Sequence, residues 1–341
     1  MSSTPYIDYP RWSELAQNSL SISIEIPEVV KVGNVEIRYR RDFKGIIISG
    51  MGGSGIVGDI IRDSIQDIVK IPIIVNKDLK LPKYIDEEYL VIAISYSGNT
   101  IETIKCYEEC IKNGIPVITV STGGRLKDLA NMNNTPHITI PKATAPRYGL
   151  PCLLYATLRA IGKVFNIEDK ILNMCEESIT YIKKAFEEYS RKFKHLVDIL
   201  ANKFIMIYVP SPLSSLGFRF KNDMNENAKQ PVAVCILPES EHNDLAIHIR
   251  DIPNLEILIV KSKTLENTEY DTHIKAMMKV LEELNRKYIL IELEGNTILS
   301  EIMYGITSLG MLSVDIAYRL GIDPVKIEAI DRVKKYVTER S

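Results

Sequence analysis

The sequence predicts an α/β protein made of two tandem units, each a doubly wound parallel sheet flanked by helices in the flavodoxin-like αβα arrangement. Three observations carry this. A strand, a glycine turn and an amphipathic segment follow one another over residues 45–65. Leu90-Val91-Ile92-Ala93-Ile94 and Pro116-Val117-Ile118-Thr119-Val120 are largely continuous apolar runs, as expected of strands covered on both faces. The same rhythm restarts near residue 204, after a long helical stretch. At 341 residues the chain can hold two sizeable cores.

In chain order, residues 1–44 read as irregular, with strands expected at 21–26 and 35–39. Strands follow at 45–49, 71–75, 89–95, 116–120 and 137–140, separated mostly by helices. Residues 149–201 read as helical for most of their length. Ile179, Ile182, Phe186 and Tyr189 form one stripe there, with Lys183, Lys184, Glu187 and Glu188 largely opposite. A strand at 204–209, a Pro/Ser turn at 210–215 and a helix stopped by Pro231 open the second unit. Strands at 232–237, 255–260 and 288–292 alternate with helices at 272–286 and 299–320. The last helix is expected over 324–339, with Asp323 as N-cap and Pro324 at its first position.

Composition removes several classes. The formal net charge is −2, so no basic field marks a nucleic-acid surface. No apolar run approaches the roughly 20 residues of a membrane helix. Residues 1–10 lack the basic start and apolar core of a signal peptide. The five cysteines form no C-x-x-C pair, and Cys106 and Cys110, at i and i+4, read as small reduced thiols. A soluble, reducing, cytoplasmic setting is the expectation.

Two loops carry the chemistry. Gly50-Met51-Gly52-Gly53-Ser54-Gly55 joins an apolar strand to a helix, an arrangement that offers backbone N–H groups to an anion. Its glycines also fit G-x-G-x-x-G. However, the acidic residue that would close the second strand and hold a ribose is missing: that strand ends in Val75-Asn76-Lys77. No G-x-x-x-x-G-K-[ST] occurs either. The second loop, Ser95-Tyr96-Ser97-Gly98-Asn99-Thr100, brings three hydroxyls to a helix start. Read alone, Asn99 and Glu102 also have the spacing of a capping box. A glycine loop and a Ser/Thr loop on two strands of one sheet suit a phosphorylated small molecule better than a dinucleotide.

These loops and the tandem units resemble the sugar isomerase (SIS) domain, which binds phosphosugars. Over nearly the whole chain they resemble the archaeal-type bifunctional phosphoglucose/phosphomannose isomerases. Other SIS proteins fit worse. The glucosamine-6-phosphate synthase type carries a glutaminase with an N-terminal cysteine, and Met1-Ser2-Ser3 offers none. The regulator type carries a helix-turn-helix domain, which residues 1–44 do not suggest. The resemblance implies two SIS domains: 1–155 with an irregular N-terminal segment and 202–320, joined by a helical bridge at 156–201. The C-terminal helix at 321–341 would contribute to the active site.

It also implies roles. Ser54, Ser95, Ser97 and Thr100 would bind the substrate phosphate, with Gly52 and Gly53 allowing close approach. Aldose–ketose isomerisation needs a carboxylate to move a proton between C1 and C2. Glu226, in Lys221-Asn222-Asp223-Met224-Asn225-Glu226-Asn227, lies close to the family's pattern at its base. Helical spacing puts Arg219, Asn222 and Glu226 on one flank. A solvated carboxylate is the plain alternative. Arg147, stiffened between Pro146 and Pro151, resembles the arginine that stabilises the enediolate, with a surface salt bridge as the alternative. His242, in a polar loop after a strand, would open the sugar ring from the neighbouring subunit, making the enzyme a homodimer. Lys334 would work beside it, with Lys335 a close second. Zinc is the competing reading of His242, with Asp244 and His248 nearby, but the rest of a first shell is not evident. No cofactor and no metal are therefore expected. His137, His195 and His273 read as structural. A phosphosugar-binding regulatory module without catalysis and an NAD(P)-dependent oxidoreductase stay open as alternatives.

Overall fold

The computed structural model describes residues 8–338. The chain divides into two compact units, Met1–Lys184 with Glu294–Tyr304, and Ala185–Leu293 with Gly305–Ser341.

The first unit begins with helix α1 (Trp12–Leu20) and a hairpin of β1 (Val29–Val32) and β2 (Val35–Arg38). Residues 21–26, expected as a strand, join no sheet; the hydrogen-bonded pair lies further along the chain. The stretch read as irregular therefore contains a helix. Its apolar residues Trp12, Leu15, Ala16 and Leu20 follow helical spacing and are buried.

Next come β3 (Gly45–Ser49), α2 (Gly52–Val69), β4 (Ile73–Asn76), β5 (Tyr89–Ile94) and α3 (Ile101–Asn113). They are followed by β6 (Val117–Ser121), α4 (Gly124–Met132), β7 (His137–Thr139) and α5 (Leu150–Val164). The five strands pair in parallel in the order β4-β3-β5-β6-β7. Numbered within the unit, this is 2-1-3-4-5, the flavodoxin-like order, whose direction reverses between β3 and β5. All residues of β3 and β6 are buried, as strands covered on both faces must be. α5 is buried along nearly its whole length and packs on α1, α2 and β6.

α6 (Glu168–Lys192) and α7 (Leu196–Leu200) precede β8 (Phe204–Pro210), α8 (Ser214–Asp223) and β9 (Val232–Leu237). Then follow β10 (Leu255–Lys261), α9 (Glu269–Glu283), β11 (Ile289–Glu292), α10 (Ile298–Arg319) and α11 (Glu328–Thr338). The second sheet has the order β11-β10-β8-β9, all parallel. This is the same winding with one strand fewer. Ile274, Met277 and Leu281 of α9 cover it through Tyr208, Cys235, Ile257 and Ile259.

Two expectations about helix ends are corrected. α8 does not run regularly to residue 230. It gives way to a π-helical turn, Met224–Ala228, closed by Lys229 in the left-handed region at φ +55°. α11 starts at Glu328, four residues after Pro324, because the Asp323 carboxylate accepts the Val325 N–H at 2.9 Å and spends the capping signal on a local turn.

Candidate active site

In a doubly wound sheet the ligand crevice lies beyond the carboxyl ends of the strands where the winding reverses. In the first unit that point lies between β3 and β5, and the loops following these strands are Gly50–Gly55 and Ser95–Thr100. The structure ties them together: the Tyr96 N–H donates to Ser54 Oγ at 3.1 Å. On the first loop, α2 starts at Gly52, and its N-cap Met51 supplies no side-chain cap. The Ser54 and Gly55 N–H groups donate to the Met51 carbonyl at 3.0 and 3.2 Å, so the N–H groups of Gly52 and Gly53 are the ones the helix itself does not use, the kind of donor that an anion takes at a helix N-terminus.

On the second loop, Ser95 and Thr100 hydroxyls lie 2.9 Å apart, and Ser95 Oγ accepts the Gly98 N–H at 3.0 Å. Ser97 Oγ accepts the Asn99 N–H at 3.2 Å. The capping box is not formed. Thr100 is the N-cap, and Asn99 Oδ1 instead accepts the Arg125 N–H at 3.0 Å, in the first turn of α4 just past the loop after β6. That third loop also latches on through Thr122, whose N–H and hydroxyl both donate to the Tyr96 carbonyl.

Arg147 joins this group. Its Cα lies 3.8 Å from where a Cβ on Gly53 would stand, so the turn Pro146–Gly149 passes directly over the glycine loop. Arg147 is only 5% exposed, which removes the surface salt bridge. The turn is held from two further sides. The Tyr96 hydroxyl accepts the Ala143 N–H at 2.6 Å and donates to the Ala143 carbonyl at 3.0 Å. Burial raises the Tyr96 phenol above its ordinary range, so it stays protonated and can donate. On the other side, buried Asp8 accepts from the Thr144 N–H and from its hydroxyl, the latter at 3.0 Å. Tyr9 meets Tyr148 edge-on, with ring centroids 5.6 Å apart, and packs on Trp12. Neither Asp8 nor Tyr96 is singled out by sequence reading: each acts through contacts with residues remote in the chain.

The second unit holds the remaining candidates. Glu226 sits on the π-helical turn, half-buried, a geometry that occurs disproportionately at functional sites. The neighbouring Asn227 is buried and donates to Ser313 Oγ on α10 at 2.8 Å. Lys229 Nζ donates to the Glu226 carbonyl and, at 2.6 Å, to the Lys326 carbonyl ahead of α11. Arg219 does not lie on the exposed surface. It is buried with Asp223 in a two-point ion pair, with Arg219–Asp223 distances of 2.9 and 2.8 Å. A cavity of about 620 Å³ lies beside this turn, lined by Lys229, Asp323, Lys326, Glu328 and Arg332 among others.

His242 lies on the turn after β9, exposed, and its side chain makes no hydrogen bond or ion pair with the described residues. Next to it, Glu241 bonds His273 Nδ1 at 2.7 Å. His248 is turned inward: its Nε2 lies 2.7 Å from the Tyr208 hydroxyl, so it is not disposed as a partner of His242 on a metal. Burial, helped by Arg286, lowers its pKa. Among the described residues no group of three or more His, Cys, Asp or Glu side chains could hold a metal ion. Lys334 and Lys335 both lie on exposed α11.

A glycine loop and a hydroxyl loop meeting at the switch point of a 2-1-3-4-5 sheet define a phosphosugar-binding protein of the SIS class. Residues 41–158 match the SIS domain, and residues 190–337 match the bacterial phospho-glucose isomerase C-terminal SIS domain. The chain belongs to the bifunctional phosphoglucose/phosphomannose isomerase family. It is 31% identical to the member from Pyrobaculum calidifontis over 96% of this chain and 98% of that one. It is 30% identical to the member from Aquifex aeolicus over 86% and 90%. In fold it resembles the C-terminal domain of glucosamine-fructose-6-phosphate aminotransferase from Francisella tularensis, with a TM-score of 0.70 at 16% identity over 94% of this chain and 98% of that one.

Proposed function

We infer that the chain interconverts glucose 6-phosphate and mannose 6-phosphate with fructose 6-phosphate through a cis-enediol(ate). The observation that carries this reading is the Ser54–Tyr96 link at the switch point, with buried Arg147 passing over it, in a chain of this family. Ser54, Ser95, Ser97 and Thr100 bind the substrate phosphate, and Gly52 and Gly53 let it approach the backbone. Glu226 takes the proton from C2 of the open-chain aldose and returns it at C1 while the O2 hydroxyl proton passes to O1, so the carbonyl moves from C1 to C2 without net oxidation. Arg147 stabilises the charge that develops on the enediolate oxygen; its buried setting makes the guanidinium more effective than it would be in water.

Ring opening needs an acid–base pair, assigned to Lys334 and to His242 donated by the second subunit of a homodimer. The exposed imidazole of His242, unpartnered among the described residues, fits a side chain that works outside its own subunit. No helix among the described residues is long and apolar enough to cross a membrane.

A coupled assay with glucose 6-phosphate and mannose 6-phosphate tests the activity. Glu226→Gln, isosteric but unable to take the proton, should reduce kcat by about 10²–10⁴-fold and leave sugar-phosphate binding nearly intact. An active Glu226→Gln enzyme removes the base assignment. Binding of hexose phosphates without turnover would leave a regulatory module instead.

A further inference from the structure

We propose that Tyr96 is a positioning residue that couples the phosphate loop to Arg147, so that occupancy of the phosphate site fixes the arginine turn. This deepens the reading of the first unit as a phosphosugar site and rests on it.

Tyr96 lies between two of the phosphate-loop serines, and both its backbone and its side chain are committed. Its N–H is held by Ser54 Oγ of the glycine loop, and its carbonyl takes two bonds from Thr122. The backbone of Tyr96 therefore follows the loops that grip the anion. Its side chain leaves them and ends on the arginine turn. The hydroxyl clasps Ala143, four residues before Arg147, through both the N–H and the carbonyl. The ring fills the space beside Gly149, two residues after Arg147. A Cβ on Gly149 would overlap the ring, 2.6 Å from its Cδ2. Tyr96 thus touches the chain on both sides of Arg147. Gly149 has an ordinary φ of −81°, so the ring, not the backbone conformation, explains the glycine.

The energetic consequence concerns where binding energy is used. A phosphate bridging the two loops reduces their freedom, and Tyr96 passes that order to residues 143–149. The non-reacting phosphate then helps to orient the arginine for the enediolate, and the benefit falls on the transition state rather than the ground state.

Two readouts test this. In hydrogen exchange with inorganic phosphate as the probe, the wild-type protein should gain protection both at residues 52–55 and 95–100 and at 143–149. Tyr96→Phe keeps the ring and loses the clasp. It should keep protection at the two phosphate loops and lose it at 143–149. In steady-state kinetics Tyr96→Phe should lower kcat by about tenfold or more with KM for glucose 6-phosphate within about threefold. Gly149→Ala, which displaces the ring, should behave in the same way. Protection at 143–149 surviving in Tyr96→Phe overturns the coupling, as does a rise in KM at unchanged kcat. Absence of protection at 52–55 and 95–100 in the wild type would instead remove the phosphate site, and the inference with it.

Discussion

Gly98 offers a sharp test of how the proposed phosphate loop is built. It sits in the left-handed region at φ +72°. A Cβ there would overlap the Gly123 carbonyl oxygen, lying 2.8 Å from its carbon and 3.2 Å from Gly124 Cα. All three are backbone atoms, so no rotamer change relieves Gly98→Ala. The loops after β5 and β6 must part by about an ångström, the scale of misplacement that costs about 10²-fold in an active site. The bonds at stake are Gly98 N–H to Ser95 Oγ at 3.0 Å and Leu126 N–H to the Gly98 carbonyl at 2.9 Å. Losing them shifts Ser95 and Ser97. Gly33 provides the control. It has a similar φ of +58° in the β1–β2 turn, and nothing lies within 4 Å of its would-be Cβ.

Gly33→Ala should lose only the left-handed penalty of about 1–2 kcal/mol in urea unfolding, with kcat/KM unchanged. Gly98→Ala should lose at least as much stability, and kcat/KM should fall about 100-fold, equivalent to about 2.7 kcal/mol of transition-state binding. Titration calorimetry with inorganic phosphate should show weakened binding in Gly98→Ala alone. If Gly98→Ala matches Gly33→Ala in stability and binds phosphate like the wild type, the loop-to-loop packing does not shape the site.

Acid should weaken the fold through two histidines held neutral. Burial, with Lys127 adding to it, lowers the pKa of His137 to about 4, and burial also lowers that of His248. A group with a depressed folded pKa takes up its proton first in the unfolded chain. Stability is therefore full above about pH 6.5 and falls as pH drops from there toward 4. Urea midpoints at pH 7.5, 5.5 and 4.5 read this, and His137→Gln should flatten part of the decline; an unchanged slope would count against it. Chelation bears on the metal reading. Exhaustive treatment with EDTA should leave isomerase activity intact, and a loss restored by zinc would reinstate a metal.

How much of this was legible in the sequence follows from the range of each interaction. The strand–glycine–helix turn at 45–65, the Ser95–Thr100 loop and the apolar strands are encoded in short windows, where periodicity and turn chemistry act between near neighbours. Local signals failed where two local structures competed. Asp323-Pro324 reads as a helix start, but the Asp323 carboxylate closes a turn instead. Arg219 falls at the right spacing to share a flank with Glu226, yet an acid four residues on, Asp223, draws it inward.

The sequence by itself therefore determined the class of fold, the glycine loop and the hydroxyl loop, and the family whose pattern they match. Only the tertiary structure decided how those loops work together. Sheet order places β3 beside β5, so Ser54 reaches Tyr96 across 42 positions in the chain. Tyr96 reaches Ala143 across 47, and Asp8 reaches Thr144 across 136. No periodicity links residues that far apart. Their meeting depends on the winding of the sheet, which also carries the Arg147 turn over Gly53.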